Sequence, residues 1–264
     1  RGRGFEAHTA RRPAPAQAVN FEPLQWLLIL GASFAGAVVG GIGGFGTGVI
    51  LTAVLVPILG VKATVPTLAL AGIIINSGRF WFYRADIDWR AAGRVLAGAL
   101  PMLVLGTWLY SRLDARPLGL VMGALVVLSV PLRRWLKRRQ WEVGPTAMVS
   151  GGALFGLANG MASGMGVILV SLLLGGGLAG TAVLATDAFV SILVDLARAA
   201  LFGRFALLDS STVFIGVAIG LATLPGSAMA SWLVRRMHAR LHTLYMEALI
   251  LVGGVAIVIG TWRA

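Results

Sequence analysis

The chain has 264 residues, of which 58% are hydrophobic, 12% charged and 36 are glycine, with a mean hydropathy of +0.87. A soluble domain carries about 25% charged residues, so a soluble globular domain, a disordered chain and a disulfide-stapled scaffold are excluded, and lipid must be the solvent for most of the surface. The formal charge of +12 sits in short basic clusters between apolar runs, a membrane-topology signal rather than a nucleic-acid footprint, and zero Cys removes thiolate, iron–sulfur and Cys–zinc chemistry.

Residues 1–22 are polar, with Arg1, Arg3, Arg11 and Arg12, and read as a mobile arm without the apolar core of a signal peptide. Two apolar runs follow, 23–39 and 48–59, separated by a glycine cluster that places six glycines in the nine residues 40–48. A single straight helix over 23–59 would be about 55 Å long, nearly twice a membrane core. Glycines can simply let helices pack closely. Six in nine residues argue instead for a backbone break at which the chain turns back.

Runs 61–83, 91–111 and 117–136 are each long enough to cross a hydrocarbon core. A second broken pair comes next, 145–159 and 166–175, interrupted by Asn159-Gly160-Met161-Ala162-Ser163-Gly164-Met165-Gly166. Runs 179–202, 211–234 and 241–262 complete the chain. Phe80, Trp81, Phe82, Tyr83 and Trp89 read as an interfacial aromatic belt, as do Trp108, Trp141, Trp232 and Trp262. Pro101 and Pro225, each mid-span, read as helix kinks.

The two halves repeat. Gly46-x-Gly48-Val49-Ile50-Leu51 recurs 118 residues later as Gly164-x-Gly166-Val167-Ile168-Leu169. At an offset of 119, Thr67 matches Thr186, Asn76 matches Asp195 and Arg79 matches Arg198. At an offset of 124, Leu100-Pro101, Trp108-Leu109 and Arg112 match Leu224-Pro225, Trp232-Leu233 and Arg236. Together these predict an all-α polytopic membrane protein built of two homologous repeats, 23–140 and 141–264, after the polar arm 1–22. Each repeat holds a glycine-broken helical hairpin plus three transmembrane helices. An odd number of crossings per half inverts the second repeat relative to the first, as in many secondary transporters. Placing the cations of 79–94, 133–139 and 235–240 inside favours this inversion, while the basic arm, which it leaves outside, opposes it.

Chemistry concentrates in run 179–202, where Asp187, Ser191, Asp195 and Arg198 follow at steps of 4, 4 and 3 along one helical face. Ionisable groups at membrane depth are costly and face a partner or a wet cavity. Asp195 and Arg198 can pair on their own helix; the plain reading is a neutral clip near the membrane edge, with Arg198 snorkelling. Asp187 has no local partner, and reads as a proton carrier or a cap at a helix break. The matching face of the first half carries Thr67, Asn76 and Arg79. Arg79 lies four residues from its predicted helix end, so snorkelling is its default reading too. The alternative joins Arg79 and Arg198 around an anion held between the halves. Helix starts near Gly48 and Gly166 would add partial positive charge. Gly46, Thr47, Asn159, Ser163 and Gly164 would line the breaks and supply close backbone approach and neutral hydrogen bonds.

Catalysis has little to work with. Of the three histidines, His8 lies in the arm and His238 and His242 near one loop with no acidic cluster beside them, no phosphate-binding loop exists, and Lys occurs only at 62 and 137. No enzyme, no metal site and no cofactor is expected.

The two glycine-broken segments, the Gly-x-Gly-Val-Ile-Leu restart in each half, the Ala85-Asp86-Ile87-Asp88-Trp89 loop and the twice-present Leu-Pro step resemble the TauE/SafE sulfite-exporter family, also called TSUP, over about residues 23–262. That resemblance implies a carrier of the bacterial inner membrane with about eight annotated spans, taking sulfite, sulfonates such as sulfoacetate and related small organosulfur anions. The expected function is a secondary transporter of a small anion, with Asp187 and Asp195 for proton coupling. A passive anion channel and a non-transporting scaffold are the alternatives, and a homo-oligomer is left open.

Overall fold

The computed structural model describes residues 22–43, 45–118 and 143–234, together with 120, 121, 124 and 236. The N-terminal arm, most of run 117–136, the 133–139 cations, run 241–262, Trp141, Trp262 and the three histidines lie outside the described residues. Every regular element among the described residues is helical: α1 (Pro23–Gly43), α2 (Thr47–Leu59), α3 (Val61–Tyr83), a short 3₁₀ turn (Arg84–Asp86), α4 (Trp89–Arg112), α5 (Pro145–Met161), α6 (Gly166–Gly175), α7 (Thr181–Arg204) and α8 (Ser210–Val234).

Among the described residues four helices are long and apolar enough to cross a membrane: Pro23–Ile42, Val61–Asp86, Trp89–Arg112 and Ser210–Leu233. Helix α7 has the length, at 24 residues, but carries Asp187, Asp195 and Arg198 on a face buried among its neighbours. At 13 and 10 residues, α2 and α6 reach only about 20 and 15 Å, too short to cross. Local chemistry sets the starts. Asp88 Oδ1 accepts hydrogen bonds from the amides of Arg90 and Ala91, both at 2.9 Å, and so caps α4. Asp209 Oδ1 accepts from the Thr212 amide at 2.7 Å and does the same for α8. Pro145 occupies the first turn of α5, where its missing N–H costs nothing.

The glycine cluster at 40–48 divides into two roles, against the expectation of a break over its whole length. Helix α1 continues through Gly40 and Gly41 to Gly43, so the first arm of the hairpin is a full-length span. Gly40 and Gly41 are there for packing: a Cβ on the first would collide with Thr47, and on the second would lie 2.5 Å from Ala230 of α8. The turn itself falls at Gly46, with φ of +112°, a conformation that side-chain-bearing residues rarely adopt. Thr47 Oγ1 donates to the Gly36 carbonyl at 2.9 Å, so α2 folds back along α1. Likewise α5 runs through Gly160 to Met161 before turning at Gly164, with φ of +89°.

Glycines bring the long helices into close contact. A Cβ on Gly152, Gly156 or Gly160 of α5 would strike the α4 backbone at Val95, Ala99 or Gly106. Gly226 of α8 comes as close to Phe34 and Ala37 of α1. The glycine-bearing helices α1 and α5 thus pair with α8 and α4, each from the opposite half of the chain. Helices α4 and α8 run through Pro101 and Pro225 without interruption. Between the two pairs, α3 and α7 cross.

Candidate functional site

The two chain breaks meet. A Cβ on Gly48 would lie 2.9 Å from the Gly164 amide nitrogen, and one on Gly164 would lie 2.7 Å from Val49 Cγ2. Beside that contact is a cavity of about 90 Å³, room for several waters at roughly 10–15 Å³ each. Gly46, Thr47 and Gly48 line it from the first break, and Asn159, Ser163, Gly164 and Gly166 from the second. Asn76 and Arg79 of α3 and Asp187, Asp195 and Arg198 of α7 complete its polar wall. Twelve of the residues singled out in the sequence therefore face one space, with Ser191 beside them, while Thr67 does not border it.

Helices α3 and α7 run antiparallel across it, because rising numbers on one meet falling numbers on the other: Asn76 touches Asp195 and Arg79 touches Asp187. Arg79 Nη2 lies 2.9 Å from Asp187 Oδ2. The same Nη2 donates to Asn76 Oδ1, and Asn76 Nδ2 donates to Asp195 Oδ2 at 3.0 Å. Arg198 Nη2 donates to Asp195 Oδ1 at 2.8 Å, while its Nη1 donates to the Asn159 carbonyl at 2.7 Å. One unbroken chain of contacts thus links Asp187, Arg79, Asn76, Asp195, Arg198 and the second break. Its two arginines are balanced by two aspartates, which is how four ionised groups tolerate burial.

These contacts correct three expectations. Arg79 and Arg198 do not snorkel: they are 7% and 3% exposed, because α3 and α7 face each other and offer carboxylates within reach. Asp195 and Arg198 do pair on their own helix, but buried inside the bundle. Asp187, which lacks a partner on its own helix, finds Arg79 on another; its Oδ1 accepts no hydrogen bond among the described residues.

Other members were not singled out in the sequence. Gly72 stands where any side chain would collide with the Asp195 carboxylate, so its lack of a Cβ lets that group reach α3. The face spacing of Gly72, Asn76 and Arg79, at steps of 4 and 3, was the available signal. Phe45, Leu51, Leu68, Ile75 and Phe155 supply the apolar lining of the cavity. The expected aromatic belt also divides: Trp81, Phe82 and Trp89 are exposed, as a lipid interface requires, but Tyr83 is buried. Arg84 lies over the Trp81 ring and Arg236 over the Trp232 ring, each 4.1 Å from the ring centroid.

The family model described as Sulfite exporter TauE/SafE matches residues 28–257. Searches of curated proteins and of solved structures return no match. Proteins of this family are membrane transporters, not enzymes, and the matched stretch takes in both glycine breaks and every described helix bordering the cavity. With several helices long and apolar enough to span a bilayer, the chain belongs to the sulfite exporter TauE/SafE family of multi-pass membrane transporters.

Proposed function

We propose that this transporter moves a small oxyanion, sulfite or an organosulfonate, across the bacterial inner membrane, and that the cavity between the glycine breaks is where the anion binds. Arg79 and Arg198 supply the charge, and the starts of α2 and α6, at Thr47 and Gly166, add amide donors and the positive ends of two helix dipoles. Thr47, Asn76, Asn159 and Ser163 supply neutral hydrogen bonds. Gly46, Gly48 and Gly164 keep side chains out of the way.

The observation that carries this reading is the charge balance. Each buried arginine already has an aspartate at 2.9 Å or less, so an arriving anion would leave the cavity one negative charge in excess. Excess charge at membrane depth costs several kcal/mol. A proton taken up by Asp187 or Asp195 restores neutrality and frees an arginine for the anion. Proton and anion therefore travel together, with Asp187 the first carrier because its Oδ1 has no hydrogen bond to lose.

Alternating access follows from the halves. We take 23–140 and 141–264 as two inverted repeats, and three features support this. The offsets of 118 to 124 run through both halves. Helices α3 and α7 are antiparallel. The pairing of α1 with α8 mirrors that of α5 with α4. Rocking of one repeat against the other would expose the cavity to each side in turn.

The direct test is flux of sulfite and of sulfoacetate in proteoliposomes, with and without an imposed pH gradient. Acceleration by the gradient is expected, and its loss in Asp187→Asn. No flux and no binding of either anion would remove the proposal. Gradient-insensitive flux at channel-like unit rates would replace the coupled carrier with a passive pore.

A further inference from the structure

Four residues beyond each cavity arginine, away from the helix centre, stands a buried aromatic ring. Tyr83 follows Arg79 at 6% exposure and Phe202 follows Arg198 at 0%. One helical turn places each ring on the face of its arginine and one layer further out. Neither ring borders the cavity. The two stand 119 residues apart, the same offset that relates the arginines. Because α3 and α7 are antiparallel, the rings lie at opposite ends of the crossing.

Each ring is seated in a small closure of its own. Tyr83 packs with Leu184 and Ala185 of α7 and with Ile87. Beside it the Asp88 amide donates to Thr186 Oγ1 at 3.0 Å, which clasps the 84–88 loop onto α7 one residue before Asp187. At the other end Phe202 meets Tyr110 of α4 edge-on, with ring centroids 5.2 Å apart at 60°. The Tyr110 hydroxyl donates to the carbonyls of Val61 and Lys62, both at 3.0 Å, tying the end of α4 to the start of α3. Between these closures Asp187 is 0% exposed, Ser163 3% and Asn159 8%, while Ser191, on the same wall, is half-buried.

We propose that Tyr83 and Phe202 are the two gates of the transport route, each ring closing one end of the passage between its arginine and water. The inference rests on the cavity being the transport site. With both rings in place, each end of the α3–α7 crossing is covered. Displacing one ring, by a rotamer change or a tilt of its helix, opens one end and leaves the other shut. Aromatic rings suit the task because a single side chain covers a large area and has few rotamers to sort among.

The absence of cysteine makes the test clean, since Ser163→Cys introduces a unique thiol on the cavity wall. Ser163 Oγ has no hydrogen-bond partner among the described residues, so the replacement breaks no bond. Labelling by a membrane-impermeant maleimide is followed in right-side-out and inside-out vesicles. In that background Tyr83→Ala is expected to speed labelling about tenfold in one vesicle type and Phe202→Ala about tenfold in the other, by shifting the open population. Tyr83→Phe and Phe202→Tyr, which keep a ring, should label as slowly as the parent. Acceleration of both alanine variants from the same side, acceleration of neither, or equal acceleration by the ring-keeping variants would overturn the gates. Tyr83→Leu and Phe202→Leu give the same reading if an alanine variant fails to elute as folded protein. Sided labelling without anion flux keeps the gates and counts against the transport-site reading; flux with unsided labelling does the reverse.

Discussion

Arg79 and Asp187 are 108 residues apart in the chain and 2.9 Å apart in the fold, each under 10% exposed, on two antiparallel helices. Removing one partner of such a pair strands the other charge. Arg79→Gln and Asp187→Asn should each lower stability by about 3–5 kcal/mol. The double variant should recover most of that loss, because neither charge remains. Unfolding in detergent, compared across the four proteins, gives the answer; strictly additive losses would mean that the contact carries no coupling.

Asn76 is the joint between the two ion pairs, accepting from Arg79 and donating to Asp195. Asp187→Asn and Arg198→Gln, though not in contact, should therefore show an interaction energy on the order of 0.5–3 kcal/mol in a double-mutant cycle. Asn76→Leu, of similar volume, should bring that energy close to zero. An unchanged value would place the coupling elsewhere.

Glycine substitutions should sort by what a Cβ meets. Gly164→Ala combines a φ of +89° with a contact of 2.7 Å to Val49 Cγ2, and should cost about 1–3 kcal/mol. Gly48→Ala should push the two breaks apart and reduce anion flux, since its Cβ would meet the Gly164 backbone at 2.9 Å. Gly31→Ala is the control: nothing lies within 4 Å, and a mid-helix alanine should be neutral or stabilising by about 0.5–1 kcal/mol. Melting temperatures and flux measured side by side separate the three outcomes.

Asp209, exposed at the start of α8, is held below the usual carboxylate range, first by its hydrogen bonds from Thr212 and also by one from Ser211. Its contribution is therefore present above the unfolded value of about 3.9 and is lost as pH falls through the lower folded value. Asp209→Ala should cost about 1 kcal/mol at neutral pH, as loss of an N-cap does. Its deficit against the parent should shrink on acidification below about pH 4. A deficit independent of pH would assign the effect to packing instead.

Spans and breaks were legible because apolar length and glycine density act locally: run 61–83 coincides with α3, and run 166–175 with α6. The residues of the polar wall stood out for a related reason, since charge is scarce in the spans and shares one face at helical spacing. Partnership was not legible. Asp187 looked solitary because its partner lies on another helix, and Arg79 looked free to snorkel because a sequence cannot show that its helix end is wrapped by the 84–88 loop and α7. Nor does a glycine announce its job. Gly41 and Gly46 are five positions apart in one cluster, yet one makes room for Ala230 and the other turns the chain.

The seam between α4 and α5 bears on how such a molecule can move. Where Gly98 and Gly106 lie against the α5 backbone at Val149 and Leu157, and Gly152, Gly156 and Gly160 against the α4 backbone at Val95, Ala99 and Gly106, main chain touches main chain, and no rotamer is available to absorb a shift. Sliding by half a residue would drive carbonyls into Cα atoms, so the seam has a single register and behaves as a keel. Such a pair can travel only as one rigid piece. The shape change that opens the protein to either side must then be concentrated where side chains with alternative partners meet, at the crossing of α3 and α7.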